Sequence, residues 1–430
     1  MNPVYSTTPV RPWRRVHFTG IGGVGMAGLA HILADWGVGL TGSDAAASAM
    51  TRSLERRGIA VRVGHDAGMV SGADVLVYSN AVPPDNPERA AAASQGLATC
   101  LRGEFLAQVA ACFPVVVSVG GSHGKTTTTA MIAHILRACG RSPGYLVGGQ
   151  VHGWERSAAA GAGEVLVTEV DESDGTQALI ASTVAVITNI DDDHSWSLGG
   201  EAALRRNFAA FAAKATRVVS WDSPATRSVL GAHGACHLAG PGDIPPELSL
   251  PQAGEHNRRN ACLAILATAA LGVPRDEALR ALRSFPGVER RLSLRFRSPG
   301  ARRVIVEDYA HHPVELQASL EALRQSWPQH RLRVVFQPHR YERVRRYGEA
   351  FAGILGRQAD EVWVVAPFAA WVDDATVADP RQIAAAVQGP PCHYWDGPLE
   401  ALAGAVLSAA DGTPEVVAVI GAGDVARVVP

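Results

Sequence analysis

This chain of 430 residues lacks the features that mark several classes of protein. Its formal net charge is only −2, so no global basic field favours nucleic acid or an anionic membrane. The longest apolar run, LAILATAALGV, is far shorter than the ~20 residues of a membrane span, and the N-terminus has no stretch that resembles a signal peptide. The six cysteines are scattered without a CxxC pair, which is typical of core residues in a reducing compartment. These absences predict a cytoplasmic globular protein.

Short apolar runs alternate with longer helical patterns along the chain. The runs are RVHFT, DVLVYS, PVVVSV, EVLVTE, TVAVIT, RRVIVED, LRVVF, EVWVVA and EVVAVI. Strands that are buried on both faces have this continuous apolar pattern, and their alternation with helices predicts parallel sheets. At ~150 residues per domain the length fits two or three domains, and the runs fall into three groups. We therefore predict an α/β fold with three domains, at 1–110, 111–287 and 288–430.

A glycine-rich turn follows the first predicted strand. VHFTGIGGVGMAGLA places Gly20, Gly22, Gly23 and Gly25 between a strand and a helix. Glycine at such a turn lets backbone N–H groups approach a phosphate. Asp44 ends the next strand-like segment, where dinucleotide-binding folds carry an acidic contact to ribose. A turn without a ligand is the alternative, but the order of strand, turn, helix and acid favours nucleotide or diphosphate binding.

One of the only two lysines in the chain lies in a second glycine turn, GGSHGKTTTTAMIAHIL. Lys125 would neutralise the β- and γ-phosphates of a nucleotide, and the Thr126 hydroxyl would reach Mg²⁺. Position 119 is valine, where the familiar phosphate loop has a glycine. The alternative is a turn without a ligand, but four β-branched threonines are an unfavourable helix start. The segment therefore predicts a phosphate site with an unusual entry.

Two acidic clusters follow the next strands. VLVTEVDESDGT and VAVITNIDDDHSW contribute Glu169, Asp171, Glu172, Asp174, Asp191, Asp192, Asp193 and His194. Ligands of open α/β sheets bind at the carboxyl ends of the strands, so both clusters could face the lysine turn. Mg²⁺ in such sites takes one or two protein carboxylates. Either cluster alone is more typical of a solvated loop, but together with the lysine turn they predict a metal site.

In combination these motifs resemble those of the Mur ligases, the ATP-dependent amide-forming enzymes of peptidoglycan synthesis. The family has a short Gly-Thr-x-Gly-Lys-Thr-Thr loop without the early glycine, which accounts for Val119. GEHNRRNACLA is similar to its His-Asn-x-x-Asn motif, FPGVERRL to its Gly-x-x-Arg-Arg segment and EDYAHHPVEL to its Asp-Tyr-x-His-His-Pro element. The resemblance covers nearly the whole chain. It implies a Rossmann-like UDP-binding domain, a central P-loop ATPase-like domain and a Rossmann-like C-terminal domain.

The resemblance also implies substrates and cofactors. GIGGVGM, GSD and FQPHRYERV are similar to segments of the member that joins L-alanine to the lactyl carboxylate of UDP-N-acetylmuramate through an acyl phosphate. ATP and Mg²⁺ would be required, no nucleic acid or membrane would take part, and the chain would be a monomer or a homodimer. The murein-peptide recycling ligase, which has a comparable element around Ala310, is the nearest alternative. An ATP-binding homologue without ligase activity and a dinucleotide oxidoreductase are the others.

Roles for individual residues follow from the same resemblance. The catalytic residues would be Lys125, Glu169, His194, His311 and Arg340. Thr126 would bind one Mg²⁺, and Glu169 and His194 would bind a second. ATP would contact Gly121, Ser122, His123, Gly124, Lys125, Thr126, Thr127, Asn257, Asn260, Arg290, Arg291 and Asp308, with the choice between the two arginines left open. The nucleotide sugar would contact Gly20, Gly22, Gly23, Gly25, Met26, Ser43, Asp44 and Ser79. The amino acid and the carboxylate would contact Tyr309, His311, Arg340 and Arg343.

Two segments depart from the family pattern. Between Trp221 and Gly254 the chain is shorter than the usual central domain, and SWSLGG after His194 lacks the residues that the family usually has there. How the metal-side loop contacts the substrate is therefore left open.

Overall fold

The computed structural model describes residues 12–191, 198–369, 378–408 and 412–429. The chain divides into two compact units, the first from Met1–Ser249 with Arg259–Pro286 and the second from Leu250–Arg258 with Gly287–Pro430. The first unit contains two sheets and the second contains one. The domain boundaries at 110 and 287 stay predictions.

The first sheet has five strands in the order β3-β2-β1-β4-β5, and every pairing is parallel. Its strands are β1 (Arg15–Thr19), β2 (Gly39–Asp44), β3 (Ala60–Val63), β4 (Val75–Tyr78) and β5 (Ala98–Leu101). Its helices are α1 (Val24–Asp35), α2 (Ala49–Glu55), α3 (Pro87–Ser94) and α4 (Arg102–Ala110). Because β2 and β4 flank β1 on opposite sides, the strand order reverses there, and a binding crevice forms at the carboxyl ends of the strands.

The second sheet has seven strands in the order β12-β11-β10-β6-β9-β7-β8. They are β6 (Val115–Gly120), β7 (Gly144–Leu146), β8 (Ala158–Ala159), β9 (Val165–Glu169), β10 (Ser182–Ile187), β11 (Ala215–Trp221) and β12 (Cys236–Ala239). The helices are α5 (Lys125–Ala138), α6 (Glu201–Ala213), α7 (Pro224–Leu230), α8 (Glu255–Ala269) and α9 (Arg275–Leu282). The central position of β6 places the lysine turn at the middle of the carboxyl edge, with β9 and β10 on either side.

The third sheet has six strands in the order β13-β14-β18-β15-β16-β17. They are β13 (Ser293–Arg297), β14 (Arg303–Asp308), β15 (Arg331–Phe336), β16 (Glu361–Val365), β17 (Cys392–Trp395) and β18 (Glu415–Ile420). The helices are α10 (Pro313–Ser326), α11 (Tyr341–Gln358), α12 (Arg381–Ala386) and α13 (Leu399–Ser408). Only β13 pairs in the antiparallel direction, with β14.

The three sheets confirm the predicted three-domain α/β fold. Each of the apolar runs singled out in the sequence forms a strand, because side chains such as those of β18 are buried on both faces of their sheet. The antiparallel β7–β8 and β13–β14 pairings were not predicted. In the described part of the chain, no helix has both the length and the hydropathy that a membrane crossing requires.

Candidate active site at the lysine turn

The lysine turn connects β6 to α5 at the middle of the second sheet. Gly121 and Gly124 have φ of +131° and +82°, a region that L-residues with a side chain rarely adopt. A β-carbon at Gly121 would lie 2.1 Å from Thr188 Oγ1, and one at Gly124 would lie 2.7 Å from Asn260 Oδ1. Both positions therefore require glycine for backbone conformation and for space.

The segment after β10 braces the turn from one side. Asn189 Oδ1 accepts from the His123 N–H at 2.9 Å, while Asn189 Nδ2 donates to the His123 carbonyl at 2.9 Å. The Thr188 hydroxyl donates to the same carbonyl at 2.6 Å. Ser122 Oγ accepts from the Asp191 N–H at 2.8 Å. The turn is thus held in one shape by neighbouring polar groups, and Thr188 is a contributor that the sequence analysis missed.

The Lys125 ammonium is directed back into the turn. Its Nζ donates to the Gly121 carbonyl at 2.6 Å and lies 2.8 Å from Glu172 Oε2. Burial opposes the charged form, but Glu172, Glu169 and Asp171 raise the pKa of Lys125. Burial also raises the pKa of Glu172 to about 7, against the opposing effect of Lys125. Glu172 was noted only as one member of an acidic cluster, since spacing alone does not identify which carboxylate meets the lysine.

Thr126 and Glu169 meet at the end of β9. The Thr126 hydroxyl donates to Glu169 Oε2 at 2.9 Å, and the Gly148 N–H donates to the same oxygen at 2.9 Å. A hydroxyl and a carboxylate are oxygen donors of the kind that Mg²⁺ binds, so this pair fits the implied metal. Thr127 is half-buried in the first turn of α5. His194, the remaining predicted ligand, lies outside the described residues.

The two asparagines of α8 have different surroundings. Asn260 lies against the lysine turn, as its contact with the Gly124 position requires. Asn257 Nδ2 instead donates to the Ala253 carbonyl at 2.8 Å, within the second unit. Both side chains are buried. In the first unit the structure therefore brings Asn260 to the predicted phosphate site.

The glycine-rich turn after β1 is closed by Asp44, whose Oδ2 accepts from the Gly22 N–H at 2.8 Å. Gly23 is the N-cap of α1, and the position of a β-carbon at Gly20 would lie 3.2 Å from Ser79 Oγ. These residues surround one turn, as the sequence predicted. Met26 and Ser43 differ from the rest because both are fully buried, Met26 in the apolar core. The Ser43 hydroxyl donates to Glu88 Oε2 at 2.7 Å.

Arg102 connects the two turns of the first unit. Its Nη2 lies 3.3 Å from Asp171 Oδ2 and 3.2 Å from Asp174 Oδ2, in the acidic segment that also contains Glu172. The position of a β-carbon at Gly25 would lie 3.1 Å from Arg102 Nη1. No sequence signal marked Arg102, since it stands alone at the start of α4.

The predicted arginines of the second unit are engaged in ion pairs. Arg290 lies 2.9 Å from Glu307 Oε1 and donates to the Gly421 carbonyl at 2.9 Å. Arg291 lies 3.8 Å from Glu315. The two guanidiniums lie 4.8 and 5.1 Å from the centre of the Tyr309 ring. The structure therefore brings Arg290, Arg291 and Tyr309 together.

Asp308 is a buried carboxylate at the end of β14. It accepts from the Leu292 N–H at 2.7 Å, from the Ala310 N–H at 2.8 Å and from the Ser319 hydroxyl at 3.0 Å. Burial raises the pKa of Asp308, although Arg291 opposes this shift. These contacts anchor the chain around the predicted ribose contact.

A histidine that the sequence analysis missed lies between the predicted amino-acid contacts. The His339 ring is centred 5.7 Å from that of His311, and Arg343 Nη1 donates to His339 Nδ1 at 3.3 Å. His311 Nδ1 also lies 3.3 Å from Glu315 Oε2. Arg340 has φ of +66°, a strained conformation that is often found at functional sites. His339 directly precedes Arg340 in the FQPHRYERV segment, which was the signal available.

Comparison with known proteins agrees with this organisation. Family models match residues 15–114 (Mur ligase family, catalytic domain), 119–228 (Mur ligase middle domain) and 290–423 (Mur ligase, glutamate ligase domain). The UDP-N-acetylmuramate–L-alanine ligase of an Acidovorax species is 37% identical over 413 residues, covering 87% of this chain and 86% of that protein.

Two solved structures resemble the whole chain. The UDP-N-acetylmuramate–alanine ligase of Thermotoga maritima superposes with a TM-score of 0.78 at 27% identity, covering 96% of each chain. A murein peptide ligase of Psychrobacter arcticus shares the fold, with a TM-score of 0.68 at 20% identity, covering 95% of this chain and 96% of that one. The resemblance inferred from the motifs is thereby confirmed, and the chain belongs to the Mur ligase family.

Proposed function

We propose that this chain is an ATP-dependent ligase that joins L-alanine to the lactyl carboxylate of UDP-N-acetylmuramate in peptidoglycan synthesis. The observation that carries the proposal is the pair Lys125 and Thr126 at the start of α5, with Thr126 bonded to Glu169. Membership of the Mur ligase family implies the use of ATP. The relatives of Acidovorax and Thermotoga maritima bear the names of enzymes that act on this substrate and on alanine, which supports the finer assignment.

The reaction proceeds in two steps. The lactyl carboxylate attacks the γ-phosphate of ATP to give an acyl phosphate and ADP, and the amine of L-alanine then displaces phosphate to form the amide. A carboxylate that approaches a polyanion needs charge neutralisation and alignment more than it needs a protein nucleophile. Lys125 supplies a positive charge at the phosphates, while the N–H groups of the first turn of α5, which have no acceptor within the helix, suit phosphate oxygens.

The proposed metal site consists of Thr126 and Glu169, with His194 as a further ligand. Mg²⁺ would there offset the charge of the phosphates and of the attacking carboxylate. When ATP binds, the Lys125 ammonium would donate to a phosphate oxygen instead of the Gly121 carbonyl. The new hydrogen bond would be stronger than the old one, because both of its partners are charged.

In the second unit, His339 holds Arg343 and lies beside His311, so that this cluster is suited to a carboxylate and an incoming amine. Arg340 and Arg343 would bind carboxylate oxygens. His311 is the candidate to accept a proton from the ammonium of L-alanine, because its ring lies between Glu315 and His339.

The test is phosphate release from Mg²⁺-ATP with UDP-N-acetylmuramate, with and without L-alanine. We expect release that requires both substrates and that Lys125→Ala lowers by at least about 100-fold, as loss of about 3 kcal/mol of transition-state stabilisation would give. Lys214→Ala is the matched control, because the second lysine is exposed at the end of α6, and it should retain full activity. Turnover of UDP-N-acetylmuramate with the wall tripeptide, but not with L-alanine, would instead identify a recycling ligase. ATP binding without turnover of either acceptor would refute both.

A further inference from the structure

A buried carboxylate lies beneath the glycine-rich turn of the first sheet and has no part in the proposed reaction. Glu88, in α3, is completely inaccessible to solvent. A charged group that is shielded from water must be compensated by hydrogen bonds or by a counter-ion. The groups around Glu88 must therefore stabilise its carboxylate.

Hydrogen-bond donors come to Glu88 from several elements of the first sheet. The Oε2 atom accepts from the hydroxyls of Thr19 at 2.5 Å and Ser43 at 2.7 Å, and lies 3.1 Å from His17 Nε2. The Oε1 atom accepts from the Asp66 N–H at 3.1 Å. Burial opposes ionisation, but the hydrogen bonds from His17, Thr19 and Ser43 outweigh it and lower the pKa of Glu88 to about 2. Glu88 is therefore an anion that ties the carboxyl ends of β1 and β2 together.

The hydrogen bond from Ser43 to Glu88 determines which group donates in the contact between Ser43 and His65. Ser43 Oγ lies 2.9 Å from His65 Nδ1. Because the Ser43 hydroxyl has one proton and donates it to Glu88, its oxygen must accept from His65, which places the imidazole proton on Nδ1. In the neutral imidazole the other nitrogen, Nε2, then carries a lone pair and can only accept.

The position of His65 in the sheet associates it with the nucleoside part of a ligand. Its side chain keeps 23% of its surface exposed, and it follows β3, next to the end of β2. In this class of sheet the acidic ribose contact lies at the end of β2, which here is Asp44. The carbonyl of Ser43 also accepts from the N–H groups of Gly20 at 2.8 Å and Ile21 at 3.0 Å, so the same residue holds the glycine turn.

We propose that His65 binds the nucleoside of the nucleotide sugar by accepting a hydrogen bond at Nε2, and that Glu88, acting through Ser43, sets this polarity. The donor is an N–H or O–H of the nucleoside: N3–H of uracil or a ribose hydroxyl. Cytosine has a lone pair instead of a proton at N3, so an acceptor positioned opposite N3 discriminates against it. The inference rests on the proposed nucleotide-sugar function.

A matched pair of variants separates the two nitrogens of His65. Asparagine places an amide near Nδ1 and keeps a donor for Ser43, but offers nothing at Nε2. Glutamine places its amide near Nε2 and keeps an acceptor there. In calorimetric titrations of the full chain, we expect His65→Asn to weaken UDP-N-acetylmuramate binding by about tenfold, the effect of one lost hydrogen bond. We expect His65→Gln to stay within about threefold of wild type, and the affinity for ATP to be unchanged in both.

The probes UDP, CDP and 2′-deoxy-UDP identify the donor. Loss of the preference for UDP over CDP in His65→Asn assigns the contact to the base, and loss of the preference over 2′-deoxy-UDP assigns it to the ribose; either result supports the inference. Equal binding of UDP-N-acetylmuramate by wild type and His65→Asn overturns it and leaves the proposed function intact. If the folded wild-type chain binds ATP but no uridine nucleotide, the proposed substrate fails and the inference fails with it.

Discussion

Replacement of Glu88 by glutamine removes a charge that the folded state stabilises and the unfolded state does not. The pKa of Glu88 is about 2 in the folded chain, against about 4.3 for an unperturbed glutamate. At 1.36 kcal/mol for each pKa unit, ionisation of Glu88 contributes about 3 kcal/mol to folding at neutral pH. Since the folded pKa is the lower one, this contribution is complete above about pH 5 and is lost as the pH falls through about 2. At pH 3 about 1.4 kcal/mol of it remains.

The assay is urea unfolding at pH 7 and pH 3. Unfolding is monitored by pulsed hydrogen exchange in peptides from residues 15–44. We expect the destabilisation caused by Glu88→Gln to be about 1.5 to 2 kcal/mol larger at pH 7 than at pH 3. The comparison between pH values removes the part of the destabilisation that does not depend on pH, such as the loss of the hydrogen bonds from Thr19 and Ser43. Glu55→Gln makes the same chemical change at an exposed position and should have little effect at either pH. Equal destabilisation by Glu88→Gln at both pH values would refute the assignment of Glu88 as a buried anion.

Two further predictions concern packing and backbone strain. A β-carbon at Gly103 would lie 2.0 Å from Thr176 Oγ1, so Gly103→Ala should destabilise α4 by about 1–3 kcal/mol. Gly404→Ala, in a helix with nothing within 4 Å of the added carbon, should stabilise α13 by about 0.5–1 kcal/mol. Hydrogen exchange of each helix measures both changes in stability. Changes of the same sign in the two variants would contradict the packing argument. Because Arg340 has φ of +66°, Arg340→Gly should be about 1 kcal/mol more stable than Arg340→Ala in urea unfolding. Both variants lose the guanidinium and should raise the KM for substrate equally, and identical stabilities would remove the argument for strain.

Much of the first unit's phosphate chemistry could be predicted because it is local in sequence. A strand, a Gly-Lys-Thr turn and a helix are consecutive, so their order already places Lys125 and Thr126 at a helix N-terminus. The reach of Glu169 to Thr126 was also predictable, since both follow neighbouring parallel strands at one edge of a sheet. The parallel strands were recognised for a similar reason, because burial on both faces leaves a continuous apolar run.

Contacts between residues that are distant in the chain could not be predicted from the sequence. In the sequence Arg102 stands alone, Glu172 is one of several acids and His339 is one residue of a longer motif. Only the folded chain brings them to Asp171, Lys125 and His311. Ser43 shows a related limit of the sequence: its position beside Asp44 in GSD predicts a ligand contact, and only the structure shows that its side chain is buried against Glu88. Alternate residues of a strand point to opposite faces, so adjacency in sequence does not imply a shared surface.

The sequence by itself determined the family, the α/β class and the turn that would hold phosphate, since each depends on motifs and apolar runs whose residues are consecutive in the chain. The tertiary structure decided which acid meets Lys125, which carboxylate is buried as an anion, and which nitrogen of His65 lies against Ser43. These depend on donors and acceptors that come together from separate strands, and on the exclusion of water that makes an uncompensated charge costly.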